Sequence, residues 1–471
     1  MNDDPLSLDG KHVMVLGIGR QGKALARWLP TQGARVTLSD SKDFGELADE
    51  MLELTTLGDN VALDLGGHTI ALLEETDMVC ISGGVPPTIP FIEEARQRDI
   101  PVRNDALLFL ERCPALVVGI TGSAGKTTTT SLLGEMCRAD GRKTWVGGNI
   151  GHVLLDDLAD IGPEDVVVME LSSFQLEIAD ISPDIAAVLN ITPNHLDRHG
   201  SFQNYAAAKA NIFLHQRGDD TVILSDDNLA AKQLEDLAPA QVARFSAQHM
   251  VTDGAFLLGK RLAVAGICSP THEAKVVCEV GDIRLRGAHN IQNVLAACAL
   301  AGRVGVSTEA MREAIIHFSG VEHRLEIVAE INGVQWVNDS IATAPERVSA
   351  ALRSFEEPLV LLAGGKDKDL PWNDMAALAV ERCRVVITFG DHRMAIADAI
   401  KRAQRGVIGG RLQRIVVVNT LDEAVHRAAK VAQSGDVVLL SPGGTSYDAY
   451  RDFAERGDHF RDLVQRLQDK S

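Results

Sequence analysis

Residues 119–130 read GITGSAGKTTTT, a glycine-rich turn that runs into a Lys-Thr pair and then a helix-like stretch. The apolar run ALVV precedes it, so the order is strand, loop, Lys-Thr, helix, the context in which such a turn cradles phosphates. The standard phosphate-binding loop places a glycine where this chain has Ile120. Backbone N–H groups around Gly122, Ser123 and Gly125 can still surround a phosphate. Lys126 can reach the outer phosphates of ATP, and the hydroxyl of Thr127 or Thr128 can hold Mg2+. A Gly/Ser turn with no ligand is the competing reading.

Outward from this loop, the chain repeats one theme. On its N-terminal side HVMVLGIG (12–19), ARVTLSD (34–40), MVCISGG (78–84) and IPVRND (100–105) alternate with helical patterns. On its C-terminal side DVVVMELSS (165–173) and IAAVLNIT (185–192) follow, with a less regular stretch from about 221 to 287. A third series opens near 321 with VQWVND, PLVLLAGG, CRVVITFG, RIVVVN and DVVLLSPGG. Val- and Leu-rich runs without alternation suit strands buried on both faces of parallel sheets. The expected fold class is α/β with three domains: a Rossmann-like domain over 1–113, a P-loop NTPase-like domain over 114–320 and a dinucleotide-binding-like domain over 321–471.

At 471 residues with 45% hydrophobic content the chain exceeds what one core accommodates. A formal charge of −19 argues against nucleic acid or an anionic membrane as partner. The seven cysteines form no C-x-x-C pair, and with an acidic N-terminus and no long apolar run the expectation is a cytoplasmic protein with reduced thiols.

Gly17, Gly19 and Gly22, with Arg20 and Gln21 between them, form a second nucleotide-type turn, and Asp40 ends the next strand-like run. NAD, a UDP-sugar, or a turn that merely needs glycine would each satisfy it. Two such loops leave a simple nicotinamide enzyme with one too many. Glu170 stands at a strand's C-terminal end, as a metal ligand or as a cap on the next segment. His195 lies in a polar loop, and Lys209 in YAAAKANIF has the default reading of a solvated surface charge.

Together GITGSAGKTTT, GGNIG (147–151), ELSSFQLE (170–177), NITPNHLDRHGS (190–201), GAHNIQN (287–293), EHRLE (322–326), NDSIATAPE (338–346) and LSPGGTSYD (440–448) resemble the Mur ligase family of ATP-dependent amide-forming enzymes along essentially the whole chain. The form SSFQLE is closest to the glutamate-adding members. Two departures stand out: Ala124 replaces the family's usual Asn, and Ile341 replaces the lysine of NDSKAT.

The resemblance implies addition of D-glutamate to UDP-N-acetylmuramoyl-L-alanine through an acyl phosphate, for peptidoglycan precursors, by a monomer using ATP and Mg2+. It implies a UDP-substrate site at Gly17, Gly19, Arg20, Gln21, Gly22, Asp40, Ser41, Ser82, Gly84, Asn149 and His195. ATP would meet Gly122, Ser123, Gly125, Lys126, Thr127, Thr128, Asn290, Arg324 and Asp339. Metal would be held by Thr127, Glu170, His195 and Lys209, the last as an N6-carbamate, and Lys126, Glu170, His195 and Lys209 would be catalytic. Glutamate would be gripped by Thr343, Lys368, Ser446 and Phe453. A hinge near Gly320 to Arg324 would close the third domain over the central one. The residues leave glutamate's handedness undecided, and an L-glutamate ligase, a folylpolyglutamate synthase-like enzyme or a non-catalytic nucleotide-binding protein of this fold are the rivals.

Overall fold

The structure, a computed structural model, describes residues 6–47, 61–269, 271–285, 287–366, 370–406 and 409–469. These fall into two compact units, one built from residues up to 284 together with 288–318, the other from 285–287 and 319 onward.

The first unit holds two sheets. In the N-terminal one, β1 (His12–Leu16), β2 (Arg35–Asp40), β3 (Val61–Leu65), β4 (Met78–Ile81) and β5 (Val102–Arg103) lie all parallel in the order β3-β2-β1-β4-β5. The chain reverses direction across the sheet between β1 and β4, the crevice where such sheets bind ligands. The sequence reading lacked β3, whose VALDL is half exposed at the sheet edge and carries an aspartate.

The second sheet runs β14-β13-β12-β11-β10-β9-β6-β8-β7. Its strands are β6 (Leu116–Thr121), β7 (Thr144–Gly148), β8 (Val166–Glu170), β9 (Ile185–Val188), β10 (Thr221–Ser225), β11 (Gln241–Ser246), β12 (Gly254–Leu258), β13 (Arg261–Gly266) and β14 (His272–Glu279). Strands β6 to β12 pair parallel, whereas β12, β13 and β14 form an antiparallel extension. That extension is the irregular stretch of the sequence. The core strands β6, β8, β9 and β10 are almost entirely buried, as their unbroken Val and Ile runs require.

The second unit carries a sheet in the order β15-β16-β20-β17-β18-β19: β15 (Glu326–Ile331), β16 (Val334–Asn338), β17 (Leu359–Gly364), β18 (Cys383–Phe389), β19 (Arg414–Val417) and β20 (Val437–Gly443). Only β15 is antiparallel to its neighbour.

Where the two sheets of the first unit meet, Asn104 Nδ2 donates to the carbonyl of Gln175 at 2.8 Å, and Gln175 Nε2 donates to Asp105 Oδ2 at 3.2 Å. Burial pushes the Asp105 carboxyl from 3.8 up to about 6, partly offset by the Gln175 bond. The folded state therefore holds a proton that the unfolded chain gives up, so stability falls as pH rises through roughly 4 to 6 and stays lower above. The full effect is on the order of 3 kcal/mol. Asp105→Asn keeps an acceptor for Gln175 and removes the charge, so we expect it to raise the urea midpoint at pH 8 and leave it nearly unchanged at pH 4. A variant no more stable than wild type at pH 8 would contradict the burial argument.

Candidate active site

Two phosphate-type turns lie at the C-terminal ends of their sheets' central strands. At the end of β1, Gly17 has φ +90°, and a Cβ there would lie 2.4 Å from Ser82 Oγ, so only glycine fits. A Cβ at Gly22 would meet the Gly17 carbonyl at 1.8 Å, which explains the third glycine as a packing requirement. The helix Arg20–Thr31 starts here with no side-chain cap and no acidic residue in its first turn. Its N-terminal N–H groups thus favour an anion.

This turn borders a cavity of about 380 Å3. Of the residues the resemblance assigns to a UDP-substrate site, Gly17, Gly19, Arg20, Gln21, Asp40, Ser41, Ser82, Gly84 and Asn149 line it, and Gly22 and His195 do not. Ile18, His68 and Val85 also line it and were missed from sequence. The Asp40 carboxylate accepts from the backbone N–H groups of Ile18 at 2.9 Å and Lys42 at 3.0 Å, shaping the turn. Gln21 Oε1 accepts from Gly83 N at 2.8 Å. His68 Nδ1 lies 2.8 Å from Ser39 Oγ, and burial lowers its pKa against the opposing pull of Asp40 and Asp64. Arg20 donates to the carbonyls of Asn149 and Gly151, both at 3.0 Å, joining this turn to the GGNIG segment after β7.

The second turn follows β6. Ile120 is fully buried in the strand, so the loop begins only at Gly122; this is why the standard glycine is absent. Gly125 caps the helix Lys126–Ala139 at φ +84°, where a Cβ would fall 2.1 Å from Asn293 Oδ1. Asn293, close against Gly125, lies in the N-terminal part of the helix Ala288–Val304, and its Nδ2 donates to Asn290 Oδ1 at 2.9 Å within that helix. Ala124 exchanges two bonds with the Asn190 side chain, N–H to Oδ1 at 2.9 Å and Nδ2 to carbonyl at 3.0 Å. The loop is thereby pinned from β9 despite lacking the family's asparagine. Ser123 Oγ donates to the Thr192 carbonyl at 3.0 Å. Thr128 is the next residue along the same helix.

Glu170 ends β8, buried, and its carboxylate accepts from Thr127 Oγ1 at 2.8 Å and Asn149 Nδ2 at 3.3 Å. Lys126 Nζ donates to the Gly122 carbonyl at 2.9 Å. Lys209 Nζ donates to the same carbonyl at 3.0 Å and to Thr121 Oγ1 at 3.3 Å, with the Tyr205 ring 4.8 Å away. Lys209 is only 1% exposed, against its default surface reading. Burial first, then the Lys126 charge, hold its pKa well below 10.5, with Glu170 pulling the other way. His195 is exposed in a left-handed conformation at φ 52°, its ring 5.1 Å from that of Phe174.

In the second unit Asp339 is buried after β16 and accepts from Ser441 Oγ at 2.7 Å and Leu325 N at 3.3 Å; burial raises its carboxyl to about 7. Arg324 stands between two residues of positive φ, His323 and Leu325. Arg456, missed from sequence, is fully buried and donates to Ser340 Oγ, the Ser340 carbonyl and the Gly444 carbonyl at 3.0, 2.9 and 3.2 Å. It ties the NDSIAT loop, with Thr343, to the PGGTS loop, with buried Ser446, while the Phe453 carbonyl accepts from Ser340 Oγ at 2.7 Å. Ile341 donates its N–H to the His323 carbonyl at 3.1 Å. Lys368 lies outside the described residues.

A parallel α/β protein with a Lys-Thr phosphate loop, a strand-end carboxylate bonded to that threonine, and a second anion-binding turn on its own sheet is a nucleotide-dependent enzyme. The chain belongs to the Mur ligase family. The MurD-like N-terminal domain matches residues 11–104, the Mur ligase middle domain 120–301 and the Mur ligase glutamate ligase domain 323–444. A UDP-N-acetylmuramoylalanine--D-glutamate ligase of Clostridium botulinum is 39% identical over 459 residues, covering 97% of each chain. One from Symbiobacterium thermophilum is 41% identical over 455 residues, covering 96% of this chain and 97% of its own. Among solved structures, UDP-N-acetylmuramate-alanine ligase MurC from Thermotoga maritima shares the fold at a TM-score of 0.55 and 20% identity, covering 98% of this chain and all of that one.

Proposed function

We propose that this chain joins D-glutamate to UDP-N-acetylmuramoyl-L-alanine at the expense of ATP, as a cytoplasmic step in making peptidoglycan precursors. The observation that carries this reading is the pairing, within one unit, of the Gly17–Gly22 cavity with the Lys126–Thr127–Glu170 loop, the two bridged by Asn149, which lines the first and bonds Glu170 in the second. No helix among the described residues is long and apolar enough to cross a membrane.

In the reaction, a carboxylate oxygen of the UDP-linked substrate attacks the terminal phosphorus of ATP and ADP leaves. The glutamate amine then attacks the resulting acyl phosphate, giving the amide, inorganic phosphate and a proton. The loop N–H groups and Lys126 hold the transferring phosphoryl group and offset its charge. The Thr127 hydroxyl and the Glu170 carboxylate, bonded to each other at 2.8 Å, are oxygen donors suited to Mg2+, and a carbamylated Lys209 would add oxygens and His195 a nitrogen or a water-mediated contact. Bound there, Mg2+ would neutralise developing phosphate charge. In the second unit Asp339 would take the ATP ribose, and Thr343, Ser446, Phe453 and Lys368 the glutamate. The chain would act as a monomer.

The direct test is phosphate release from ATP and Mg2+ with UDP-N-acetylmuramoyl-L-alanine plus D-glutamate, L-glutamate or no amino acid, with the product mass measured. We expect release that depends on D-glutamate, with the ligated mass. Turnover with L-glutamate instead would replace the stereochemistry, and none with either would sink the reading.

A further inference from the structure

Arg198 stands three residues after His195, on the short helix Leu196–His199. Its Nη1 donates to the Gly84 carbonyl at 3.3 Å, and its Nη2 to the Val85 carbonyl at 2.9 Å. Both carbonyls belong to the rim of the Gly17–Gly22 cavity. The same Nη2 donates to Glu177 Oε2 at 3.2 Å, and the guanidinium lies over the Phe174 ring at 4.8 Å. Glu177 and Phe174 sit on ELSSFQLE, the segment that Glu170 begins, and the Phe174 ring also contacts His195. The other oxygen of Glu177 lies 3.0 Å from His199 Nδ1, whose Nε2 is 3.0 Å from Ser173 Oγ.

With side chains only 16% and 14% exposed, the Arg198–Glu177 pair is shielded from solvent screening. A planar guanidinium can serve two carbonyls and a carboxylate together in fixed directions; a lysine ammonium is a point donor without that geometry. One side chain therefore connects the rim of the cavity, the helix that follows His195, and the segment that carries Glu170 to Thr127 of the phosphate loop.

We infer that Arg198 is a positioning residue that couples occupancy of the Gly17–Gly22 cavity to nucleotide binding at the phosphate loop. This rests on the two-ligand reading proposed above. A ligand that fixes the 82–86 rim fixes the guanidinium, and with it the approach of His195 and the Glu170 segment to the loop. Because such coupling is reciprocal, nucleotide binding tightens the cavity's ligand by the same factor.

The test is calorimetric titration of the full chain with UDP-N-acetylmuramoyl-L-alanine and with a non-hydrolysable ATP analogue plus Mg2+, each alone and in the presence of the other. In the wild type each ligand is expected to tighten the other about tenfold. Arg198→Lys and Arg198→Ala should bind each ligand alone within about threefold of wild type while the mutual effect falls below about twofold. Glu177→Gln, which leaves the guanidinium but removes its anion, should show an intermediate loss. In Arg198→Lys kcat should fall with the coupling and the KM for glutamate should not move, a split that loss of packing alone would not produce. Wild-type coupling retained in Arg198→Lys, or absent from the wild type while both ligands bind, overturns the inference. Failure of the wild type to bind either ligand would instead overturn the ligase reading.

Discussion

Lys126→Ala is expected to lower kcat by about three orders of magnitude while UDP-N-acetylmuramoyl-L-alanine still binds. The lysine is the side-chain cation of the phosphate loop, its Nζ held at 2.9 Å by the Gly122 carbonyl at the loop's first turn. The other lysine at that carbonyl, Lys209, cannot substitute, because burial holds its pKa far down and so disfavours its charge. Removing Lys126 thus leaves the transferring phosphoryl group with backbone N–H groups and whatever Glu170 and Thr127 hold. The cavity at Gly17–Gly22 contains no part of Lys126, so binding of the UDP-linked substrate should change little. Steady-state rates, together with substrate titration of the folded variant, check both halves. A variant within about tenfold of the wild-type kcat would remove the loop from phosphoryl transfer.

How much of this was legible in the sequence follows from which forces act locally. The strands buried on both faces announced themselves as Val- and Leu-rich runs, and Glu170 was visible because it directly follows one. The phosphate loop was legible from Gly, Lys and Thr in a strand-to-helix context. Its missing glycine has a structural reason in Ile120, the last apolar residue of β6 and fully buried. The edge strand β3 and the antiparallel extension β12 to β14 carry weaker patterns, because exposed strands need no continuous apolar run. Spacing alone gives Lys209 only the default of a surface charge, and it was the resemblance that singled it out, since helix periodicity cannot register that Gly122, Thr121 and Tyr205 converge on one position from separate elements. Arg198 and Arg456 escaped for the same reason: each bonds carbonyls distant in sequence, and nothing in a neighbouring motif marks such a partner.

Lys209→Arg is expected to be as damaging as Lys209→Ala, with kcat lowered at least about a hundredfold in both. Were the ammonium itself the working group, arginine would preserve the charge and much of the activity. The geometry argues otherwise. Lys209 Nζ bonds two neutral oxygens, the Gly122 carbonyl and Thr121 Oγ1, and the pull of the Glu170 charge on it is outweighed by burial and by Lys126. Desolvation and the adjacent Lys126 charge favour the free amine. A neutral amine attacks the carbon of CO2, forming an N–C bond and releasing a proton, and the product is an anionic carbamate whose oxygens can bind Mg2+ beside Thr127 and Glu170. Neither substitution can form it. Folded wild-type protein equilibrated with 13C-labelled bicarbonate should therefore show a carbamate carbon resonance that is missing from Lys209→Arg, and the mass of the intact chain should revert to the unmodified value on acidification. A wild-type spectrum without that resonance, combined with an active arginine variant, would make Lys209 a buried packing residue that orders the Gly122 turn rather than a ligand of the metal.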